Sequence, residues 1–374
     1  MRTPKIAALF RMHTGWNALG LALSLAGCQA PTLPSSPMQH HTPTGFKNNY
    51  TDAIPGTLSD LLRWKSNAWR HNLPPPPQTP TPVVTPDLAT IHANARAGAA
   101  MQPAITWIGH ASMLVQASGL NVLTDPVFSE RASPVQFMGP QRAQPPGVAM
   151  VDLPPIDVVV VSHNHYDHLD TNAVLALNQR AQGATLFIVP LGLKAWFADQ
   201  GITNVVELDW WQQHTVQGVE FHLTPVQHWS ARGLGDRFQT LWGGWAVFGA
   251  DFHWYFSGDT GYSQDFKDTR AHFKDRSPEG FDLALIAVGA YEPRWFMQNQ
   301  HINPAEAVQI HRDLHAQRSV GVHWGTFNLT DEPLDQPPKD LAAARLDQGV
   351  AEDAFFLLKI GETRRLPARA SSSK

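Results

Sequence analysis

Cysteine is almost absent: the 374 residues contain one, Cys28, so no disulfide can form within the chain. Long runs of lysine or arginine are missing too, and with a net charge of −4 the chain carries no basic footprint for nucleic acid. No internal repeat stands out. The mostly apolar stretch from Trp16 to Gly27 would make a helix of roughly 18 Å, well short of the ~30 Å hydrocarbon core of a bilayer. It follows Arg2, Lys5 and Arg11, so it reads as a signal peptide rather than a spanning helix.

The single cysteine gains meaning from its place. Leu25-Ala26-Gly27-Cys28 resembles the bacterial lipobox, in which the cysteine is lipidated and becomes the mature N-terminus. An ordinary secretory signal is the competing reading. Gln29 in the next position resembles outer-membrane sorting, so the expectation is a lipid-anchored chain on the bacterial outer membrane, facing the periplasm. Pro31 to Thr44, rich in Pro, Ser and Thr, predicts a flexible tether. Leu58 to Trp69 has the spacing of a short packed helix, and the prolines from Pro74 to Pro86 predict an extended arm. The organisation expected is a signal at 1–27, tether and arm at 28–100, one catalytic domain at 101–366 and a disordered tail at 367–374.

What the chain does have is an ample apolar content of 43% and an excess of histidine, 18 residues. The decisive stretch reads Ile156-Asp-Val-Val-Val-Val-Ser-His-Asn-His-Tyr-Asp-His-Leu-Asp170. Its β-branched run predicts a strand buried on both faces. His163, His165, Asp167 and His168 follow at once, so a buried strand ends by pointing three imidazoles and a carboxylate into one small volume. Those are the donors that borderline divalent metals such as zinc prefer. Further signals sit where later strands are expected to end: His228 after Val219 to Pro225, Asp259 between glycines after the strand around Tyr255, and His323 after Val320 to Val322. Strands and helices interleave throughout, which gives an α/β (α+β) class. Asn303-Pro304-Ala305-Glu306 predicts a helix start, with Asn as cap, Pro in the first turn and Glu closing a capping box.

The order of these ligands resembles the metallo-β-lactamase superfamily, whose fold is a four-layer αβ/βα sandwich with two metals at the sheet ends. Longer motifs narrow the resemblance. Trp107-Ile-Gly-His-Ala, Leu123-Thr-Asp-Pro-Val-Phe-Ser-Glu, Glu207-Leu-Asp-Trp-Trp, Gly258-Asp-Thr-Gly-Tyr, Gly289-Ala-Tyr-Glu-Pro-Arg-Trp-Phe-Met and His323-Trp-Gly-Thr-Phe are similar to the N-acyl-phosphatidylethanolamine phospholipase D family. The resemblance implies two Zn²⁺ ions, one on His163, His165 and His228, the other on Asp167, His168 and His323, with Asp259 bridging. It implies hydrolysis of a phosphodiester to N-acylethanolamine and phosphatidic acid, with Asp259 and Asp167 tuning the nucleophile and His301 binding phosphate or assisting proton transfer. It implies a phospholipid substrate, a membrane surface as partner and a homodimer.

Alternatives stay open at this point. The same centre suits a lactone, a different phosphodiester or a β-lactam, and a non-catalytic zinc-binding lipoprotein is a different class altogether. Gln300, Trp295, Phe296 and Met297 are candidates for a lipid-facing groove, with ordinary packing as the competing reading. His110 either lines the site or orders a turn. Asp170 is expected to fix a ligand histidine or the following helix, His311 to be a satisfied core residue, and Trp210-Trp211 to pack.

Overall fold

A computed structural model describes residues 39–52 and 56–369, so the signal stretch and Cys28 lie outside the described residues. Two seven-stranded sheets carry the fold. A short hairpin, β1 (His41–Thr42) and β2 (Gly45–Phe46), precedes them. The first sheet is built from β3 (Ala104–Gly109), β4 (Ser112–Ala117), β5 (Leu120–Thr124), β6 (Val158–Val160), β7 (Leu186–Pro190) and β8 (Val205–Leu208). The second takes β9 (Gln213–Val216), β10 (Val219–Thr224), β11 (Gly244–Phe248), β12 (His253–Phe256), β13 (Leu283–Ala287), β14 (Ser319–Val322) and β15 (Phe355–Phe356). The chain then returns, and β16 (Thr363–Arg365) pairs antiparallel with β3 at the edge of the first sheet.

Helices cover the outer faces. α2 (Leu88–Ala95), α3 (Thr171–Arg180) and α4 (Lys194–Asp199) contribute Ile91, Val174, Leu177 and Phe197 to one core with the outward side chains of the first sheet. α5 (Asp265–His272), α7 (Pro304–Asp313) and α8 (Gln336–Gln348) add Phe266, Ala307, Ile310 and Leu341 to the larger core that also fills the space between the sheets. α1 (Leu58–His71) and the single turn α6 (Arg294–Met297) meet through Trp64, Phe296 and Met297. The result is the expected αβ/βα sandwich.

Strand β6 shows why the valine run matters. Val158 and Val160 enter the inter-sheet core, while Val159 and Val161 enter the core under the helices. Each buried valine contributes about 1.5 kcal/mol or more from area removed from water. β5, β6 and β7 run parallel, with Thr124 level with Val160. β12, β13 and β14 run parallel in the other sheet. The C-terminal ends of both central trios therefore open on the same edge of the sandwich, where their loops meet.

Two expectations need correction. The tether predicted to run to Thr44 is ordered from Gln39: His40 and His41 each donate an Nε2–H to one oxygen of Asp209 at 2.7 Å, and Asn48 bonds both backbone groups of His228. The tail predicted from 367 is ordered to Arg369, whose backbone N–H reaches Asp251 O and whose Nε donates to Asp282 at 2.6 Å. α8 begins at Gln336, with prolines in its first turn where no N–H is needed.

Candidate metal centre

Strand ends deliver the side chains. The loop after β6 supplies His163, His165, Asp167 and His168; those after β10, β12 and β14 supply His228, Asp259 and His323. The seven residues singled out as ligands come together in two groups. His163 Nε2 lies 2.8 Å from His165 Nδ1, and His228 Nε2 lies 3.4 Å from the same Nδ1. On the other side, His168 Nε2 and His323 Nε2 are 3.1 Å apart, with Asp167 Oδ2 at 3.5 and 3.4 Å from them. Asp259 reaches both groups: its Oδ2 is 3.0 Å from His168 Nε2 and 3.9 Å from the Nε2 atoms of His163 and His228, while Oδ1 is 3.1 Å from His323 Nε2.

The donor set fits metal ions better than it fits itself. Ring nitrogens face ring nitrogens, so two neutral imidazoles would have to share one proton at each close pair. Polar atoms facing the centre are also left over: Asp259 Oδ1 and His301 Nδ1 have no hydrogen-bond partner. A divalent cation in each group resolves the crowding, because every converging lone pair then has an acceptor.

The far sides of three ligand rings are fixed. His168 Nδ1–H donates to Asp125 Oδ2 at 2.6 Å, and Asp125 also takes Ser162 Oγ–H at 2.6 Å and Ser162 N–H at 2.7 Å. Ser162 Oγ, with its proton committed to Asp125, accepts His163 Nδ1–H at 2.9 Å. His228 Nδ1–H donates to the Gln300 carbonyl at 2.9 Å. Each bond sets the tautomer and leaves Nε2 free to ligate, the usual arrangement behind metal-binding histidines. The sequence reading met Asp125 only within the Leu123-Thr-Asp-Pro motif and gave it no role at the centre. His110 is a second supporting residue: its turn is ordered, with φ +53°, and its Nε2 lies 3.0 Å from Asp167 Oδ2.

Charges follow from burial and neighbours. Burial pushes the His163 imidazole well below its ordinary value, His165 to about 4, and His228, His301 and His110 to about 3, so all five favour the neutral form that ligates or donates without charge. Burial opposes charge on Asp259 and Asp167, yet the surrounding imidazoles, His168 foremost, hold both carboxyls well below the usual range. Burial likewise works against a proton on His168 and His323, but Asp259 and Asp167 outweigh it and raise both rings.

Backbone geometry supports the close approach. Gly258 has φ +55°, and a Cβ there would lie 2.6 Å from Ser162 Cβ. His323 itself sits at φ +62°, a conformation that costs a non-glycine residue about 1–3 kcal/mol and clusters at functional sites.

A cavity of about 520 Å³ opens over the centre, with His165, Asp167, Asp259 and His301 among its lining residues. Leu58, Leu61 and Trp64 of α1, Phe296 and Met297 of α6, and Leu329 give it apolar walls. Of the groove candidates, Phe296, Met297 and Gln300 line it; Trp295 is absent from the lining and lies instead beneath the Arg63 guanidinium, 4.7 Å from its ring centroid. His301 stands 3.8 Å from Asp259 Oδ2 through Nδ1. Its backbone carbonyl accepts from Arg294 Nη1 at 2.8 Å, and Arg294 Nη2 grips Glu306, the capping-box residue of α7, at 2.8 and 3.0 Å. The remaining candidates have structural posts. Asp170 caps α3 and accepts the Phe128 and Ser129 N–H groups. His311 is buried against Ser319 Oγ, and Trp210 donates to the Trp242 carbonyl.

Comparison with known proteins agrees with this geometry. The β-lactamase superfamily domain matches residues 120–324. An N-acyl-phosphatidylethanolamine-hydrolyzing phospholipase D of Caenorhabditis elegans is 40% identical over 269 residues, covering 69% of this chain and 74% of the relative. A metal-dependent hydrolase of Methanopyrus kandleri is 29% identical over 68% of this chain and 96% of its own. Among solved structures, an isothiocyanate hydrolase from Delia radicum gut bacteria superposes with a TM-score of 0.55 at 21% identity, over 71% of this chain and 99% of that one; this likeness concerns the fold. The chain belongs to the metallo-β-lactamase superfamily, as a metal-dependent hydrolase similar to N-acyl-phosphatidylethanolamine-hydrolyzing phospholipase D.

Proposed function

We propose that the protein is a zinc-dependent phosphodiesterase of the phospholipase D type, which hydrolyses N-acylphosphatidylethanolamine to N-acylethanolamine and phosphatidic acid. The observation that carries this reading is the cavity, with a cluster of metal donors among its lining residues and apolar walls from α1, α6 and Leu329. An anionic phosphodiester attached to acyl chains is complementary to both parts. The Caenorhabditis elegans relative, named for this reaction, supports the choice of substrate. Five imidazoles and two carboxylates suit zinc, and their division into two groups joined by Asp259 suits two ions per chain.

Two zinc ions held there would supply positive charge to the phosphoryl oxygens and lower the pKa of a water molecule to about 7. The protein's own groups do the remaining work. Asp259 and Asp167 stay ionised among the imidazoles and orient the nucleophile. The water oxygen bonds to phosphorus, the bond from phosphorus to the ethanolamine oxygen breaks, and a proton ends on the departing alkoxide. His301, kept neutral by burial, offers an uncharged N–H to a phosphoryl oxygen, and Arg294 fixes its backbone.

The setting is a membrane surface. Leu58, Leu62 and Trp69 are 72%, 61% and 82% exposed on α1, the helix that also walls the cavity. An amphipathic helix of this kind suits docking at a lipid interface. Lipidation at Cys28, tethering to the outer membrane facing the periplasm and assembly as a homodimer belong to the same reading.

Incubation with N-acylphosphatidylethanolamine should release N-acylethanolamine, and a chelator should stop the release. Zinc-replete protein without esterase activity would defeat the proposal. His301→Ala is expected to lower turnover about a hundredfold, the loss typical for one preorganised donor, while zinc stays near two per chain by elemental analysis. Loss of zinc in that variant would assign His301 a structural role instead.

A further inference from the structure

One permanently charged cation, Arg237, stands in the cavity lining. Among the described residues, it has neither a hydrogen bond nor an acidic partner. Its guanidinium carbon lies 4.5 Å from the centroid of the Trp229 ring. That ring is fixed in turn: Trp229 Nε1 donates to Gln300 Oε1 at 2.7 Å, and its centroid lies 4.4 Å from that of His165. The loop carrying Arg237 is closed by the Phe238 N–H bonding to Ser230 O at 2.9 Å, and Asp236 braces it through the Arg232 and Gly233 N–H groups. An unpaired cation is thus held one aromatic ring away from a metal ligand.

The neighbouring tryptophans are occupied in the same way. Lys65 Nζ sits 3.7 Å from the Trp64 ring centroid, and Arg63 lies over Trp295. An incoming ammonium would ordinarily seek an aromatic face or a carboxylate. Here the two tryptophan rings that line the cavity, Trp229 and Trp64, already carry cations, and the carboxylates among the lining residues, Asp167 and Asp259, are committed to the candidate metal centre. Phospholipid head groups differ in just this respect. Phosphatidylethanolamine brings an ammonium beside its phosphate, whereas acylation of that nitrogen leaves an uncharged amide and a net anion.

We propose that Arg237 is a specificity-determining residue: its unpaired guanidinium, set in the cavity lining beside Trp229, rejects ammonium-bearing head groups and admits N-acylated ones. This rests on the phosphodiesterase reading above. The repulsive element supplies the discrimination, since the metal centre treats both phosphodiesters alike.

The test is kcat/KM of the zinc-loaded full chain on N-acylphosphatidylethanolamine and on phosphatidylethanolamine of the same acyl composition, each in neutral detergent micelles. The wild-type protein should prefer the N-acylated lipid. Arg237→Gln should narrow the preference about tenfold, and Arg237→Glu should narrow it further because it offers the ammonium a partner. Arg237→Lys, which keeps the charge, should retain the preference, and zinc content should be the same in all. A preference within about twofold of wild type in both the Gln and Glu variants would overturn the proposal, as would a wild-type protein that cleaves both lipids equally. A wild-type protein that cleaves neither defeats the phosphodiesterase reading itself.

Discussion

Asp259→Asn is expected to reduce kcat by about a thousandfold and to lower the metal content of the purified protein. The carboxylate joins the two ligand groups, with Oδ2 at 3.0 Å from His168 Nε2 and Oδ1 at 3.1 Å from His323 Nε2. It is buried and held ionised by the imidazoles around it. An amide of the same shape would remove the negative charge that joins the two ligand groups and would turn an N–H₂ group toward one of them. Losing about 4 kcal/mol of transition-state stabilisation corresponds to the thousandfold fall. Elemental analysis and steady-state kinetics on the same preparation check both parts. Full activity with two metals retained would remove Asp259 from the centre.

Asp125→Ala carries the second large effect, although this residue is not among the seven predicted ligands. Its carboxylate accepts from His168 Nδ1, Ser162 Oγ and Ser162 N at 2.6–2.7 Å, in a fully buried position. Removing it leaves those donors unpaired and frees the His168 ring to rotate. A loss of about 3–5 kcal/mol in unfolding free energy is expected from breaking a buried charge-assisted network, with a fall in metal affinity of about 10–100-fold from the lost orientation of a ligand. Denaturant unfolding and metal competition measure the two separately. Affinity unchanged in a folded variant would show that His168 is held by other means.

The contrast between these two aspartates shows what a sequence makes legible. Asp259 announces itself by sitting between glycines at a strand end, and the valine run with its histidines announces β6 and the first four ligands. Asp125 does not, because its role depends on β5 lying parallel to β6 with Thr124 level with Val160, a long-range register that local pattern does not encode. The same holds for the cavity wall: Leu58, Leu61 and Trp64 read only as a packed helix, far along the chain from the α6 residues they face. Phe296 and Met297 turn inward and Trp295 outward, a division set by one turn of helix rather than by composition. β9 and β16 escaped notice for another reason. Gln213–Val216 and Thr363–Arg365 are short edge strands with polar side chains, and edges of sheets need little apolar sequence. Asn48, in a stretch read as linker, clasps the backbone of ligand His228, so composition misjudged the order of that segment.

The claim that a water activated at this centre attacks phosphorus is tested most directly by the fate of solvent oxygen. Zinc-loaded protein would be given N-acylphosphatidylethanolamine in ¹⁸O-labelled water, with products read by mass spectrometry. The account predicts one ¹⁸O atom in phosphatidic acid, unlabelled N-acylethanolamine, and loss of both products with a chelator. Label in the N-acylethanolamine, or release that persists without metal, would contradict it.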